Sequence, residues 1–339
     1  MEIAKSVMWS MTSHSGRFAC LSKSTMILSD FSGQYVGPYR LVSPLNSGAT
    51  SAVYRAVHTE RPGKYAIKCI SKSELTPKQL SLRMSEVFHH QLVTGCSPHV
   101  LRLQEVIDEE LYMFIVSKLY DGDLSEAIWS DRLYQRNEAL IRQTFLDIID
   151  GVYACHSKGV FHRDLKPANI LCREGGTSIR IADFGLATRK RICRGSRCGT
   201  LDYMSPGQPP PFFHRHRANM HLEQWTEGPI VYYPSRADIW SLGIILVNLV
   251  TGRRPWDAAH PSDEHYRAFL EDKDYLYHTL SISWSLNQVL KWILCPDPWE
   301  RPQILQIRLA ILNVDTFYRA PCPPMYDAVE WSKRMALIQ

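Results

Sequence analysis

The sequence predicts an α+β fold in two parts, a small sheet-bearing lobe followed by a larger, mainly helical one. Three observations predict it. The first third holds short runs rich in Val, Tyr and Ile, punctuated by Gly, Ser and Pro; after Asp123 the pattern turns helical; and 339 residues exceed one average domain. Apolar residues make up 45% of the chain and charged residues 22%, globular values that exclude wholesale disorder and fibrous classes.

Residues 1–38 read as a flexible extension. They carry Lys5, Arg17 and Lys23 among many Ser, Thr and Met but no continuous apolar run, so a transit peptide lacks support. Tyr39–Leu45, Ala52–Val57 and Lys64–Ile70 then read as strands joined by tight turns. Glu74–Val93 reads as one helix on the spacing of Leu80, Met84, Val87, Phe88 and Gln91. Val100–Ile107 and Leu111–Lys118 return to strand character. Asn137–His156 places Leu140, Ile141, Phe145, Ile148, Ile149 and Val152 on one helical stripe. Further helices are expected over Ser235–Thr251, Asp263–Leu270, Ser285–Leu294 and Arg301–Leu312. The most apolar run, Ile239–Val250, has twelve residues and falls short of the roughly 18–20 that a bilayer requires, so it reads as a buried core helix. Gly207–Pro234, which opens with a proline run, reads as an irregular insertion, and 313–339 as a tail.

The net charge of +5 is too mild to argue for a nucleic-acid partner. Nine cysteines without a C-x-x-C pair read as reduced, intracellular thiols, and the expected location is the cytoplasm, the nucleus or both. His214, His216 and His221 are irregularly spaced with no Cys nearby and do not make a metal site. Arg189, Lys190, Arg191, Arg194 and Arg197 crowd into nine residues.

The string that carries chemistry is Phe161–Leu171, FHRDLKPANIL. Asp164 and Asn169 lie five apart with Lys166 between them. Asp183-Phe184-Gly185 begins nineteen residues after Asp164, behind the strand-like run Ile179–Ala182. A hydroxyl nucleophile requires a carboxylate within reach to take its proton, and phosphates require a divalent metal held by hard oxygen ligands. This set resembles the catalytic and metal loops of the eukaryotic protein kinases, serine/threonine type. Asp164 then matches the base, and Asn169 and Asp183 match the metal ligands. Ala66-Ile67-Lys68 is similar to the family's phosphate-binding lysine strand, and Glu86 to the glutamate that pairs with the lysine. Asp121-Gly122-Asp123-Leu124 resembles the segment after the hinge, which puts the hinge near Ser117-Lys118, with Val116 lining the adenine pocket. Cys198–Pro206, Asp238–Gly243 and Arg301 resemble the end of the activation segment, the start of the central helix and the family's late buried arginine.

The resemblance implies a two-lobed protein kinase fold: a small antiparallel-sheet lobe with one helix over 39–117 and a mainly helical lobe over 118–312. It implies catalytic residues Asp164, Lys166, Asn169 and Asp183. The nucleotide site would be Gly48, Val53, Ala66, Lys68, Glu86, Val116, Ser117, Lys118 and Leu171, with ATP and Mg2+ as cofactors. Implied partners are proteins with serine or threonine hydroxyls, met by a monomer. Lys166-Pro167, and Gly199-Thr200 before Tyr203, are the serine/threonine arrangement. The strings Asp238–Leu246 and Thr251–Trp256 most resemble fungal kinases that regulate growth and nutrient responses.

Two departures leave a second reading open, a pseudokinase scaffold that binds partners without catalysis. Where the family has three glycines over the phosphates, Asn46–Val53 keeps only Gly48. Where it has Ala-Pro-Glu, this chain has Ser205-Pro206-Gly207. Arg301 is therefore expected to lose its glutamate, at a cost of about 3–5 kcal/mol for a broken buried pair, unless Glu223 or Glu227 substitutes. A retained intron after Pro206 is the other account of the extra length. Asp123 implies recognition of a basic residue in the substrate, weakened because Ala168 replaces a second acid. Ser196 stands where relatives are phosphorylated; the basic cluster with Arg163 is either a clamp for that phosphate or a solvated loop.

Overall fold

A computed structural model of the chain describes residues 30–47, 51–73, 75–194, 198–207, 231–319 and 336. Gly48, Ser196, Arg197, the three histidines at 214, 216 and 221, Glu223 and Glu227, most of the expected extension, insertion and tail lie outside the described residues. Two compact units emerge: one holds the residues up to Leu80 with Leu103–Leu119, the other holds Ser81–Arg102 with the residues from Tyr120 onward.

Period-two burial builds the first unit. Strands Tyr35–Val36 (β1), Tyr39–Ser47 (β2), Ser51–His58 (β3), Lys64–Ser71 (β4), Leu103–Asp108 (β5) and Tyr112–Lys118 (β6) pair antiparallel in the order β1-β2-β3-β4-β6-β5. In β3 the buried residues are Ala52, Tyr54 and Ala56; in β4 burial alternates through Tyr65, Ile67 and Cys69 and becomes continuous over Ile70 and Ser71. Through β3 and the first part of β4 one face of the sheet is the more deeply covered. The core also takes Phe31 and Val36, and Tyr54 accepts the Phe31 amide at 3.2 Å. Burying a Phe side chain is worth roughly 2–3 kcal/mol, so residues 30–38 belong to the folded unit and not to the expected extension.

The helix Pro77–Val93 (α1) starts later than expected, at a capping box. Thr76 Oγ1 accepts the Gln79 amide, and Gln79 Oε1 accepts the Thr76 amide at 2.8 Å. Its buried face also differs from the expected stripe. Glu86, Val87, His89, His90 and Val93 are buried, while Leu82, Met84 and Phe88 are exposed. Polar partners set this face: the His90 Nε2–H donates to the Leu101 carbonyl at 2.7 Å.

Helix Glu138–Ser157 (α2) follows its predicted stripe, and Asn137 caps it by accepting the Leu140 amide at 3.2 Å. Strands Gly122–Asp123 (β7), Ile170–Arg173 (β8) and Thr177–Ile181 (β9) form a small sheet in that order, with β9 packed on α2. Two-residue strands Cys193–Arg194 (β10) and Val231–Tyr232 (β11) pair antiparallel, so the end of the expected insertion is ordered. Helix Pro234–Thr251 (α3) is buried on every side from Ala237 to Val250, as an all-round apolar helix must be, and ends at Gly252 with φ 65°. Helices Glu264–Glu271 (α4), Tyr275–Thr279 (α5), Trp284–Ile293 (α6) and Ile304–Leu312 (α7) complete the unit, with α2, α6 and α7 in contact around α3. Arg301 precedes α7 in a loop, because the residue before a proline is steered away from helical backbone angles and Pro302 follows it. The expected tail begins too early: Val314 and Phe317 are core residues, and Tyr318 bridges Ile282. Among the described residues no helix is long and apolar enough to cross a membrane.

Candidate active site

Two residues in strained backbone mark the site. Arg163 has φ 67° and Asp183 φ 61°, the left-handed region that costs a non-glycine residue of order 1–3 kcal/mol. The first is held by Asp238 at the start of α3. Its fully buried carboxylate accepts the His162 and Arg163 amides, each at 2.8 Å, and the Nε2–H of His156 on α2, also at 2.8 Å. His162 is fixed in one tautomer. Its Nε2–H donates to the Ala182 carbonyl at 2.9 Å, so Nδ1 accepts the Asp164 amide at 3.3 Å.

Asp164 projects from this loop into a network of four side chains. Asn169 Nδ2 donates to the Asp164 carbonyl at 2.8 Å and to its Oδ2 at 3.0 Å. Lys166 Nζ lies 3.0 Å from Oδ2 and donates to Thr200 Oγ1 at 2.7 Å. Thr200 in turn donates to Asp164 Oδ1 at 2.7 Å. Thr200 can approach because Gly199, with φ 108°, carries no Cβ; one added there would stand 2.9 Å from the Arg163 carbonyl. The segment behind is tied to α3: Ser241 donates to the Tyr203 carbonyl at 2.8 Å, and the Tyr203 hydroxyl to Asn248 Oδ1 at 2.9 Å. The structure thus brings Asp164, Lys166 and Asn169 together and adds Thr200 and Asp238, which sequence reasoning did not name as site residues.

Asp183 follows β9 and its Oδ1 accepts the Gly185 amide at 3.2 Å. Phe184 is buried between two imidazoles, His90 of α1 and His162, each with ring centroids 5.1 Å away. Glu86 faces the same turn: a Cβ on Gly185 would lie 3.1 Å from Asp183 Oδ1 and 3.5 Å from Glu86 Oε2. Arg83 Nη1 lies 3.3 Å from that Glu86 oxygen. Leu171 is half-buried in β8 between the buried Ile170 and Cys172.

The first unit carries four of the remaining candidates on one face of its sheet. Val53 is opposite Lys68, and Ala66 is opposite Ser117, so these four share the less buried face of β3, β4 and β6. Ser117 donates to the Ala66 carbonyl at 3.4 Å. Lys118 is exposed at the strand end. Val116 departs from expectation: it is opposite Ile67 on the core face and fully buried, so Ser117, not Val116, shares the face of Lys68.

Arg163 is fully engaged by the activation segment. It donates through Nε to the Leu186 carbonyl at 2.6 Å and through Nη1 to the Tyr232 hydroxyl at 3.0 Å, with Cys193 Sγ at 3.6 Å. Cys198 Sγ lies 3.5 Å from the same hydroxyl. Burial alone would lower the pKa of this guanidinium, but Cys198, Tyr232 and Cys193 more than offset it and leave it raised. Arg301, expected to lack its partner, donates to the carbonyls of Cys295, Arg236 and Pro296 at 2.7, 2.8 and 3.0 Å. Burial pushes its pKa down to about 10, which keeps it charged at neutral pH.

The donor set suits a hard divalent cation. Asn169 turns its NH2 toward Asp164, which directs its amide oxygen away from that contact, and Asp183 supplies a carboxylate. Among the described residues no group of three or more His, Cys, Asp or Glu could hold a metal by itself. One carboxylate and one amide oxygen, completed by phosphates and water, is the set that Mg2+ accepts.

Residues 39–310 match the protein-family profile described as the protein kinase domain. The "Negative regulator of sexual conjugation and meiosis" of Schizosaccharomyces pombe is 33% identical over 295 residues, which cover 85% of this chain and 62% of that protein. The serine/threonine-protein kinase ksp1 of the same yeast is 32% identical over 290 residues, 81% of this chain and 56% of the relative. The serine/threonine-protein kinase SKS1 of Saccharomyces cerevisiae is 29% identical over 231 residues, 68% and 45%. The chain spans about half the length of these relatives, between 45% and 62%. The loop geometry, the profile match over most of the chain and these fungal relatives agree: the chain belongs to the protein kinase family.

Proposed function

We propose that the chain transfers the γ-phosphate of Mg-ATP to serine or threonine hydroxyls of proteins. The observation that carries this reading is the engaged carboxylate of Asp164, held by Asn169, Lys166 and Thr200 within 3.0 Å. Phosphoryl transfer asks mainly for positioning and charge stabilisation. Asp164 would orient the substrate hydroxyl and accept its proton. Lys166 would meet negative charge on the transferring group, and Lys68 the α- and β-phosphates. Asn169 and Asp183 would hold a Mg2+ ion, which would supply neutralisation of phosphate charge. Asp123 Oδ1 already accepts the Ser125 and Glu126 amides at 2.8 and 3.1 Å, which supports only a weak preference for a basic residue before the target hydroxyl.

The scaffold reading draws on the replacement of the loop glycines by Asn46 and Ser51 and of the Ala-Pro-Glu glutamate by Gly207. Incubation of the purified chain with Mg-ATP and mixed protein substrates, beside Asp183→Asn, decides. Label transfer that disappears in the variant supports catalysis; nucleotide binding without transfer supports the scaffold.

A further inference from the structure

The connection between α1 and β5 meets α2 at a second reactive site, unrelated to phosphate transfer. On α2, Asp147, Gly151 and Cys155 are spaced four apart and so share one face. All three point at the segment 96–99. Asp147 Oδ2 lies 3.7 Å from His99 Nδ1, and a Cβ on Gly151 would stand 2.9 Å from the His99 carbonyl. Cys155, one turn further on, has its thiol against that of Cys96. Cys96 is half-buried and packs on the core cluster to which the buried Cys155 belongs. We propose that Cys96 and Cys155 are a peroxide-oxidisable dithiol whose disulfide ties the α1–β5 connection to α2.

The two sulfurs divide the work. The Cys155 thiol hydrogen-bonds toward Cys96 and lowers its pKa, against the opposing effect of burial and with help from Lys158. Cys155 is raised, first by that same hydrogen bond and then by burial. Cys96 is therefore the more acidic thiol of the two and, unlike the buried Cys155, has an exposed side, which is the condition for attack on a peroxide. In the first step the Cys96 sulfur attacks one peroxide oxygen, the O–O bond breaks, and the hydroxide that leaves takes a proton to become water. Cys96 is then a sulfenic acid. In the second step the Cys155 sulfur attacks the Cys96 sulfur, the S–O bond breaks, and the hydroxide departs as water with the Cys155 proton. Two thiols lose two electrons and one hydroperoxide becomes two waters.

The bond would sit beside the proposed active site. His99 and Leu101 exchange backbone hydrogen bonds of 2.9 Å with Ile181, two residues before Asp183. His156, next to Cys155, is a partner of Asp238. Two buried thiols elsewhere are shifted the other way: burial pushes Cys69 up to about 12 and Cys172 up to about 11.

The test is mass spectrometry of the full chain after brief exposure to hydrogen peroxide, alkylation of the remaining thiols and digestion without reductant. The expected product is a Cys96–Cys155 linked peptide, preceded by a dimedone adduct on Cys96. Cys155→Ala should keep the adduct and lose the link, and Cys96→Ser should lose both. Alkylation of Cys96 in the reduced, folded wild type should outpace that of Cys155 at neutral pH. A wild-type chain in which Cys96 stops at the sulfenic or sulfinic acid while Cys155 remains alkylatable after unfolding overturns the proposal, as does preferential linkage of any other pair.

Discussion

The guanidinium of Arg301 lies over the indole ring of Trp240, 5.0 Å from its centroid, and stays charged there with no carboxylate in direct contact among the described residues, Asp297 acting only at longer range. Three carbonyls and a ring face replace the glutamate that Gly207 removes. Arg301→Ala should leave those carbonyls without their donor and cost about 1–3 kcal/mol. Arg301→Lys should lose most of that too, because an ammonium cannot span the fork. Gly207→Glu should not stabilise the fold, since residue 207 has φ 80° and a side chain there is strained. Urea unfolding midpoints check all three; a gain from Gly207→Glu would mean that a carboxylate still has room to reach the arginine.

Thr200 links the activation segment to Asp164, and its effect should be on turnover and not on folding. Thr200→Ala should lower kcat by about 10²-fold, the scale of a misplaced reacting group. Thr200→Ser should recover most of it, because only the hydroxyl reaches Asp164 and Lys166. Steady-state kinetics with unchanged thermal midpoints would agree; an alanine variant with wild-type kcat would remove Thr200 from the site.

Lys68→Met should leave unfolding unchanged and lower turnover by about 10²–10³-fold, the loss expected when one charge at the phosphates is removed. Its side chain is on the face of β4 opposite Tyr65, Ile67 and Cys69, so the core does not depend on it. Near-normal transfer would mean that the nucleotide is held another way.

Much of this was legible in the residues because it is periodic or consecutive. The stripe of α2, the all-round apolar α3 and the string from Phe161 to Leu171 each state their own role over short range. Parity along β6 was not legible. Met113 through Ser117 are buried on both faces, so no polar alternation tells which of Val116 and Ser117 shares a face with Lys68. The inward face of α1 was misread for a related reason: His90 and Glu86 are buried by polar contacts that a hydrophobic pattern does not count. Asp238 and Thr200 act on residues 76 and 36 positions away, partners that only the folded chain supplies.

The contacts of Arg163 bear on regulation. Its guanidinium is already satisfied by Leu186, Tyr232 and Cys193, so a phosphate on Ser196 would have to displace these partners. Ser196→Ala should therefore keep wild-type turnover. Tyr232→Phe, which removes one acceptor worth about 1 kcal/mol, should raise protease cleavage between Arg189 and Arg194. Loss of activity in the serine variant, restored by a phosphorylated sample, would return the switch to Ser196.

Acid should weaken the fold through two buried histidines. Burial holds His89 below its ordinary 6.5; Ser85 opposes this, and Arg163 and Arg189 add to it. Burial alone lowers His260. A group whose folded pKa is depressed binds its proton more readily in the unfolded chain, so unfolding takes up protons and stability rises with pH across that window. Their contribution is complete above about pH 6.5, declines as the pH falls through the lowered folded values, and is flat below them. The urea midpoint should therefore drop between pH 7.5 and pH 5.5 with the slope of the transition unchanged. The double variant His89→Gln, His260→Gln should flatten that dependence. If the double variant loses as much stability as the wild type over the same interval, these two imidazoles are not the groups that take up the protons.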